Sequence, residues 1–561
     1  MKQAFFLHPF TRVLAAGALL FPLAVSFASC AQVDRDFGGQ AGGISSSSSS
    51  TACEPGTVAA CYSGPDGTEG VGICAAGTRV CNDDGLDYGP CEGETLPLPT
   101  DDCATPADED CDGTAAACPL TTLWARSFEM PVLSVPQVAT DADGNILVVG
   151  RFSGTFDLGD GHVVEPPPVA NPSSWFIAKF DPDGTTIWAR SLGTFNSYTV
   201  ADVTIAPGGS ILVAGPYYGH FELESFQSDS IQGSNDMFVA SLSGDDGSAE
   251  WCRFFGGTGS EQISKIGLDA NENVLLLGTF GGQLSMGNIT RTSTGNTDTF
   301  FAKLSPGALS VTYLRNYFST TNSYHFMSGL AVDSSGGAAI VGDFSESVNV
   351  GAGLLNAAGS TDIVTARIGA DGSTLDAKRF GGVDSDRGFD VSIGPEDEMT
   401  MISRVQGVTD FGGGPIGVTD GNQFVLASYT KEGAHRFSTA FGEERSNANL
   451  AVVRVNEQGE SYVGGYFNQR LVFGEQTFEV TGGVGNSDVD FFIVKFDAEG
   501  NHLASRAVGT PQSDGLFDMS LDPRGNLAIV GITLGSGFDL GTGSLSSSEQ
   551  SATLFMAKLA R

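Results

Sequence analysis

The sequence predicts an all-β fold: a seven-bladed β-propeller of four-stranded antiparallel blades, closed by an N-terminal strand and preceded by a small disulfide-rich domain. Three observations predict it. A Gly-x-aromatic element at Gly150-Arg151-Phe152 recurs loosely at Gly215, Gly278, Gly342 and Gly465. It is Ser403-Arg404-Val405 in the fifth unit and Gly531-Ile532-Thr533 in the last, and the steps are 65, 63, 64, 61, 62 and 66 residues. A second marker, FIAKF (176–180), returns in step as FVASL (238–242), FFAKL (300–304), VTARI (364–368), FVLASY (424–429), FIVKF (492–496) and FMAKL (555–559). The third observation is an octapeptide, TTLWARSF (121–128), echoed by TTIWARSL (185–192) although only the second copy has a unit in front of it.

The totals agree with a turn-rich β chain. Of 561 residues, 41% are hydrophobic, only 17% are charged and 76 are glycine, a composition that suits short strands and tight turns better than helices. Lys plus Arg is 28 against 66 Asp plus Glu, a net charge of −38. That surface repels nucleic-acid phosphates and anionic lipid headgroups, so neither is expected as a direct partner of the folded part.

Residues 1–29 read as an export signal. Lys2 and Arg12 flank a start region, and the apolar run VLAAGALLFPLAV (13–25) is too short to span a bilayer and contains Pro22. The following SFASC resembles a bacterial lipobox, with Phe27 where such motifs usually carry Leu. That resemblance implies lipidation of Cys30 and an outer-membrane-anchored, cell-surface protein. Ordinary cleavage nearby would leave Cys30 incidental. Residues 30–52, Gly/Ser-rich and without an apolar period, form a tether.

Residues 53–118 carry Cys53, Cys61, Cys74, Cys81, Cys91, Cys103, Cys111 and Cys118 among Gly, Pro and Asp. So few large apolar residues make little core, so crosslinks must supply the stability. Eight cysteines fit four bridges in an oxidising compartment, and the sequence does not choose among the pairings. Asp108, Asp110 and Asp112 stand two apart before Gly113, a spacing that gathers hard oxygen ligands suited to Ca²⁺. An EF-hand needs a bidentate Glu at the twelfth position, where this chain has Pro119; a solvated acidic turn is the alternative. The segment resembles the Cys-rich module and MopE-like metal-binding motif of myxobacterial surface proteins. The matching residues are Cys61-Tyr62-Ser63-Gly64-Pro65, Gly70-Val71-Gly72-Ile73-Cys74 and Asp108-Glu109-Asp110-Cys111-Asp112-Gly113.

In the first unit the strand-like runs are roughly 135–140, 146–153, 175–180 and 186–192, divided by DADGN, a long loop and DPDG. Alternating short runs with Gly/Asp turns indicate antiparallel hairpins, and one four-stranded sheet per repeat of about 63 residues is a propeller blade. Seven such units span 119–561, and they resemble the SBBP-type β-propeller repeat of secreted bacterial proteins. The last unit stops at LFMAKLAR (554–561), where its fourth strand should begin. Residues 121–128 are therefore expected to pair with that unit and close the ring.

No catalytic residue is expected. The six histidines fall at different repeat positions, without zinc spacing, and no G-x-S-x-G elbow is present. Trp124, Trp188 and Trp251 share a W-x-R context, and Lys179, Lys303, Lys495 and Lys558 share one repeat position, which points to architecture. DPDGTTIW (181–188) resembles the structural Asp box of sialidase propellers. Cys252 replaces Ala125 and Ala189 of the equivalent strands and reads as a small core residue. The loops 155–174, 218–236 and 281–298 begin with patterns such as FDLG, which favours small added hairpins. Three readings follow. The first is a monomeric, non-enzymatic lipoprotein that presents its propeller to a protein or polysaccharide at the cell surface. The others are a calcium-stabilised structural envelope protein and a propeller hydrolase acting on glycans or peptides. The first is adopted.

Overall fold

The computed structural model describes residues 53–561 except 99–106, 114–117, 130–134, 167–172, 197–201, 231–234, 309, 319–324, 443–448, 475, 483–487 and 547–551. The export signal, the tether, Cys30 and Cys103 lie outside the described residues. Two compact units are divided between Cys118 and Pro119. In the Cys-rich unit a hairpin of Val58–Cys61 and Gly77–Val80 is tied by Cys53–Cys81, Cys61–Cys91 and Cys74–Cys111; Cys118 is also disulfide-bonded. Each of the three loops so closed, with separations of 28 to 37 residues, removes about 3–4 kcal/mol of chain entropy from the unfolded state.

Each repeat of the larger unit has four antiparallel strands, in sequence order in every repeat but the last. In the first repeat they are Gln137–Thr140, Ile146–Ser153, Ser173–Phe180 and Thr186–Ser191. The first strands pack side by side around a closed circuit, the one at Asp514–Leu521 returning to the one at Gln137–Thr140. Successive side chains of a strand point to opposite faces, so each sheet has two apolar faces, one toward each neighbour. One cluster joins Leu147, Val149 and Ile177 to Val213, Phe238 and Ala240 of the next repeat. Another joins Val530 and Leu554 of the last repeat to Val148 and Phe176 of the first.

Seven equal blades are not what forms. Six units are separate four-stranded sheets, while the four strands of the second repeat belong to an eight-stranded sheet. The cause is the hairpin between second and third strands, which lies against the outermost strand of the preceding repeat. Gly257 pairs with Leu284 and Thr194 with Glu222, and these pairings fuse the second repeat to its neighbours. Glycine permits them: a β-carbon at Gly257 would lie 1.5 Å from the Gln283 carbonyl oxygen, and one at Gly193 would lie 2.0 Å from that of Glu222. The hairpins follow one rule, apolar-x-apolar, with both apolar side chains inward: Phe156 and Leu158, Leu284 and Met286, Leu471 and Phe473, Phe538 and Leu540 are all buried. The small added hairpins expected from FDLG are thus present, and they seal the gaps between repeats.

The lone octapeptide closes the ring. Thr122–Glu129 pairs along Thr553–Leu559 from Thr122↔Leu559 to Glu129↔Thr553, completing the last repeat's sheet. Its tryptophan also reaches forward, Trp124 Nε1 donating to the Pro182 carbonyl at 3.0 Å, as Trp188 does to Gly244 at 3.3 Å. The repeated lysines act alike. Lys179 lies 3.1 Å from Asp141 in its own repeat and donates to the Gly244 carbonyl of the next, and Lys303 lies 2.8 Å from Asp269 and donates to Gly336. Cys252 is buried and free, and burial pushes its thiol up to about 12.

A chain lacking residues 119–130 leaves the Thr553–Leu559 strand with an open edge. It is expected to melt lower and to self-associate with rising concentration in sedimentation velocity. A synthetic 119–130 peptide should reverse both effects.

Candidate functional site

Among the described residues, several charged side chains are buried on the innermost strands of the ring. Counting back four residues from the first residue of the turn after each innermost strand gives Gln137, Asp202, Lys265, Gly329, Asp390, Val452 and Asp518. Four of these are charged although the strands around them are apolar. In the third, fifth and seventh repeats a register shift immediately precedes the charged residue, between Ile263 and Lys265, Gly388 and Asp390, and Leu516 and Asp518. Such a bulge bends the strand and re-aims the side chain.

The three aspartates do the same thing. Each accepts the backbone N–H of the next repeat's innermost strand: Asp202 from Ile266 at 3.1 Å, Asp390 from Val453 at 3.0 Å, Asp518 from Val138 at 3.0 Å. A hydrogen bond to a charged acceptor is worth about 1.5–3 kcal/mol. Arg454 then bridges two of them, Nη1 lying 3.2 Å from Asp390 Oδ2 and Nη2 2.9 Å from Asp518 Oδ1. Lys265 is fully buried and lies within electrostatic reach of Asp390, Asp202, Asp518 and Arg454, which come from four other repeats. Burial pulls its ammonium down to about 8 against the pull of these carboxylates, and burial raises Asp390 to about 6 against Arg454 and Lys265. The ion pairs of Arg454 thus join the fifth and seventh repeats through the sixth.

A second set of acids caps the loops that lead from one repeat to the next. Asp236 meets Glu261, Asp362 meets Asp386, and Asp490 meets Asp514, all of them nearly inaccessible to water. The first member holds the end of the preceding hairpin loop: Ala358 N–H donates to Asp362 at 2.9 Å and Thr481 N–H to Asp490 at 2.8 Å. The second member holds the crossing itself, with Gly257 N–H on Glu261 at 3.1 Å and Gly382 N–H on Asp386 at 2.7 Å. Asp362 and Asp386 converge so closely that a β-carbon at Gly381 would lie 2.7 Å from the Cγ of one and 2.7 Å from the Oδ2 of the other. Burial, then the neighbouring carboxylate, pushes Glu261 up to about 7; burial, partly offset by backbone N–H donors, raises Asp386 and Asp514 to about 6.

In the Cys-rich unit the structure brings Asp108, Asp110 and Asp112 together, one oxygen of each lying within 4.8 Å of the others. Gly113 turns the chain at φ +95°. The Asp108 carboxylate already accepts the N–H groups of Asp112 at 3.2 Å and Gly113 at 3.0 Å. Calcium takes six to eight oxygens, so these three side chains supply only part of a coordination shell.

Sequence reasoning passed over the axial ions and the loop-capping acids. The signal for them was a charged residue inside an apolar strand at a constant place in the repeat, and it is diluted because Gln137, Gly329 and Val452 occupy that place elsewhere.

No family model and no curated protein matches this chain. Among solved structures it is similar to a protein of unknown function from Dyadobacter fermentans (TM-score 0.37, 11% identity, 79% of this chain and 100% of that one). It is also similar to the β-propeller domain of the Trilobed protease from Pyrococcus furiosus (0.36, 11%, 76% and 96%). A third, the acylaminoacyl peptidase of Pyrococcus horikoshii, gives 0.35 and 11%, covering 73% of this chain and 49% of that one. At these values the likenesses carry no argument about activity.

Replacing Arg454 with Met strands Asp390 and Asp518 without their counter-ion. The expected loss is about 3–5 kcal/mol in denaturant unfolding, and it should shrink when Asp390→Asn is added. Glu261, Asp386 and Asp514 bind their protons more tightly folded than unfolded. The stability each lends is fully present below its unfolded value near pH 4 and is lost as pH rises through its folded value, between about 4 and 7. The melting temperature is therefore expected to be higher at pH 5 than at pH 8, and Glu261→Gln with Asp514→Asn should flatten that slope.

Proposed function

We propose that this chain is a non-enzymatic envelope lipoprotein, held at the outer membrane through Cys30, whose propeller of seven repeats is an interaction platform for a protein or polysaccharide at the cell surface. The observation that supports this reading is where large apolar side chains meet water. Leu123, Ile187, Leu375 and Leu503 are 46, 44, 66 and 48% exposed, and each is the second residue of an outermost strand. Val163, Tyr218, Leu354 and Val408, on the added hairpins, are exposed as well. Single exposed apolar residues are ordinary, but repetition at one position makes the outer wall of the ring the surface suited to a partner. The hairpins turn their apolar-x-apolar pairs inward and keep these other apolar side chains outside.

A second reading, a calcium-stabilised structural protein, draws on the acidic triad. Asp108, Asp110 and Asp112 would hold the ion, which would supply charge compensation and rigidity to the loop after Cys111.

Binding of the mature protein to intact cells and to their purified surface polysaccharide tests the first reading. Leu375→Asn with Leu503→Asn is expected to lower binding several-fold while leaving the melting temperature within a degree or two. Undiminished binding by a folded double variant would exclude the outer wall as the contact surface.

A further inference from the structure

We infer that Arg387 and Arg404, on the loop-bearing face of the fifth repeat, form a binding site for an oxyanion group: a carboxylate, sulfate or phosphate. The two arginines are direct cross-strand partners in the ladder between Arg387–Ile393 and Met399–Asp410. Like charges placed opposite each other on adjacent strands repel, and this chain has only 28 basic residues against 66 acidic ones to place. Arg387 has one ion pair, with Asp343 at 3.7 Å, and no side-chain ion pair to Arg404 is found among the described residues, so the pair can accept a further anion beside it.

The carboxylates nearby leave hydrogen-bonding capacity on the pair unused. Arg404 Nε is buried and has no hydrogen-bond partner among the described residues. Burial, and then Arg387, press its guanidinium below the usual arginine range. The nearest counter-charge is Asp343 of the fourth repeat, whose Oδ2 is 3.7 Å from Arg387 Nε, beyond hydrogen-bond distance. Asp343 is 2% exposed, and burial pushes its carboxyl up to about 7, against the pull of Arg387. Asp386 is close enough to act on Arg404 electrostatically, but its two oxygens are turned to the backbone, accepting from Gly382 and from Gln406 at 2.7 and 2.8 Å.

The site is open to solvent, since the Arg387 side chain is 34% exposed and Arg404 is half-buried. A guanidinium offers a planar fork of N–H donors that suits the planar or tetrahedral oxygens of an oxyanion better than a lysine ammonium does. The fifth repeat also departs from the others here, with Ser403-Arg404-Val405 where most repeats carry Gly-x-aromatic.

The test is isothermal titration of the mature protein, at constant ionic strength, with sodium sulfate, sodium phosphate and trigalacturonate. One saturable site is expected. Its affinity should fall about tenfold or more in Arg404→Gln and in Arg387→Gln, the loss of a charged hydrogen bond. It should be unchanged in Arg524→Gln, an exposed arginine elsewhere on the ring. Binding of the small anions as well as the oligosaccharide makes the source a free oxyanion, and binding of trigalacturonate alone makes it an acidic glycan. Absence of saturable binding by the unaltered protein with all three probes overturns the inference without recourse to any variant. Unweakened binding by folded Arg404→Gln and Arg387→Gln proteins overturns it as well.

Discussion

A carboxylate reaching from one innermost strand to the backbone N–H of the next is the contact on which this ring depends. Sheets arranged around a circle share no backbone ladder at the centre, so neighbouring innermost strands can be joined only through side chains. Asp202, Asp390 and Asp518 supply that link at three junctions, and the link from Asp518 to Val138 closes the circle between residues far apart in sequence. A charged acceptor suits the task because the N–H groups it satisfies are withdrawn from water, where an unmet donor would be costly. Arg454 then bridges Asp390 and Asp518, and Lys265 lies within electrostatic reach of all three aspartates.

The same logic extends outward from the axis. Lysines tie a turn in one repeat to a turn in the next, tryptophans of the outermost strands donate to carbonyls of the following repeat, and hairpins lie across the seams. Each apolar cluster also bridges two repeats, so no sheet has a complete core of its own. Stability therefore belongs to adjacent pairs, and an unpaired end would expose an apolar face and an open edge at once. The clasp at Thr122–Glu129 removes both.

This economy constrains function. Features that would elsewhere suggest a ligand, such as repeated carboxyls, aromatics and long loops, are committed to joining repeats. The features not committed in this way are the exposed leucines of the outermost strands and the arginine pair of the fifth repeat, where Arg404 Nε lacks a hydrogen-bond partner among the described residues.

Taken alone, the sequence determined the strand pattern, the clasp and the added hairpins; it also showed seven repeats, of which only six form separate four-stranded sheets. All of these rest on short-range periodicity: alternation along a strand, glycine in a turn, and markers returning every sixty-odd residues. It also placed Asp108, Asp110 and Asp112 on one loop, because they are neighbours in the chain. Tertiary structure alone decided that the second repeat is fused into an eight-stranded sheet, that Lys265 is buried among carboxylates from other repeats, and that Asp343 stands beside Arg387. These depend on how closely two separate repeats approach, a distance set by packing around the closed ring. A carboxylate in a strand looks the same in sequence whether it faces water, a backbone N–H or a guanidinium, and only the position of the neighbouring repeat distinguishes them.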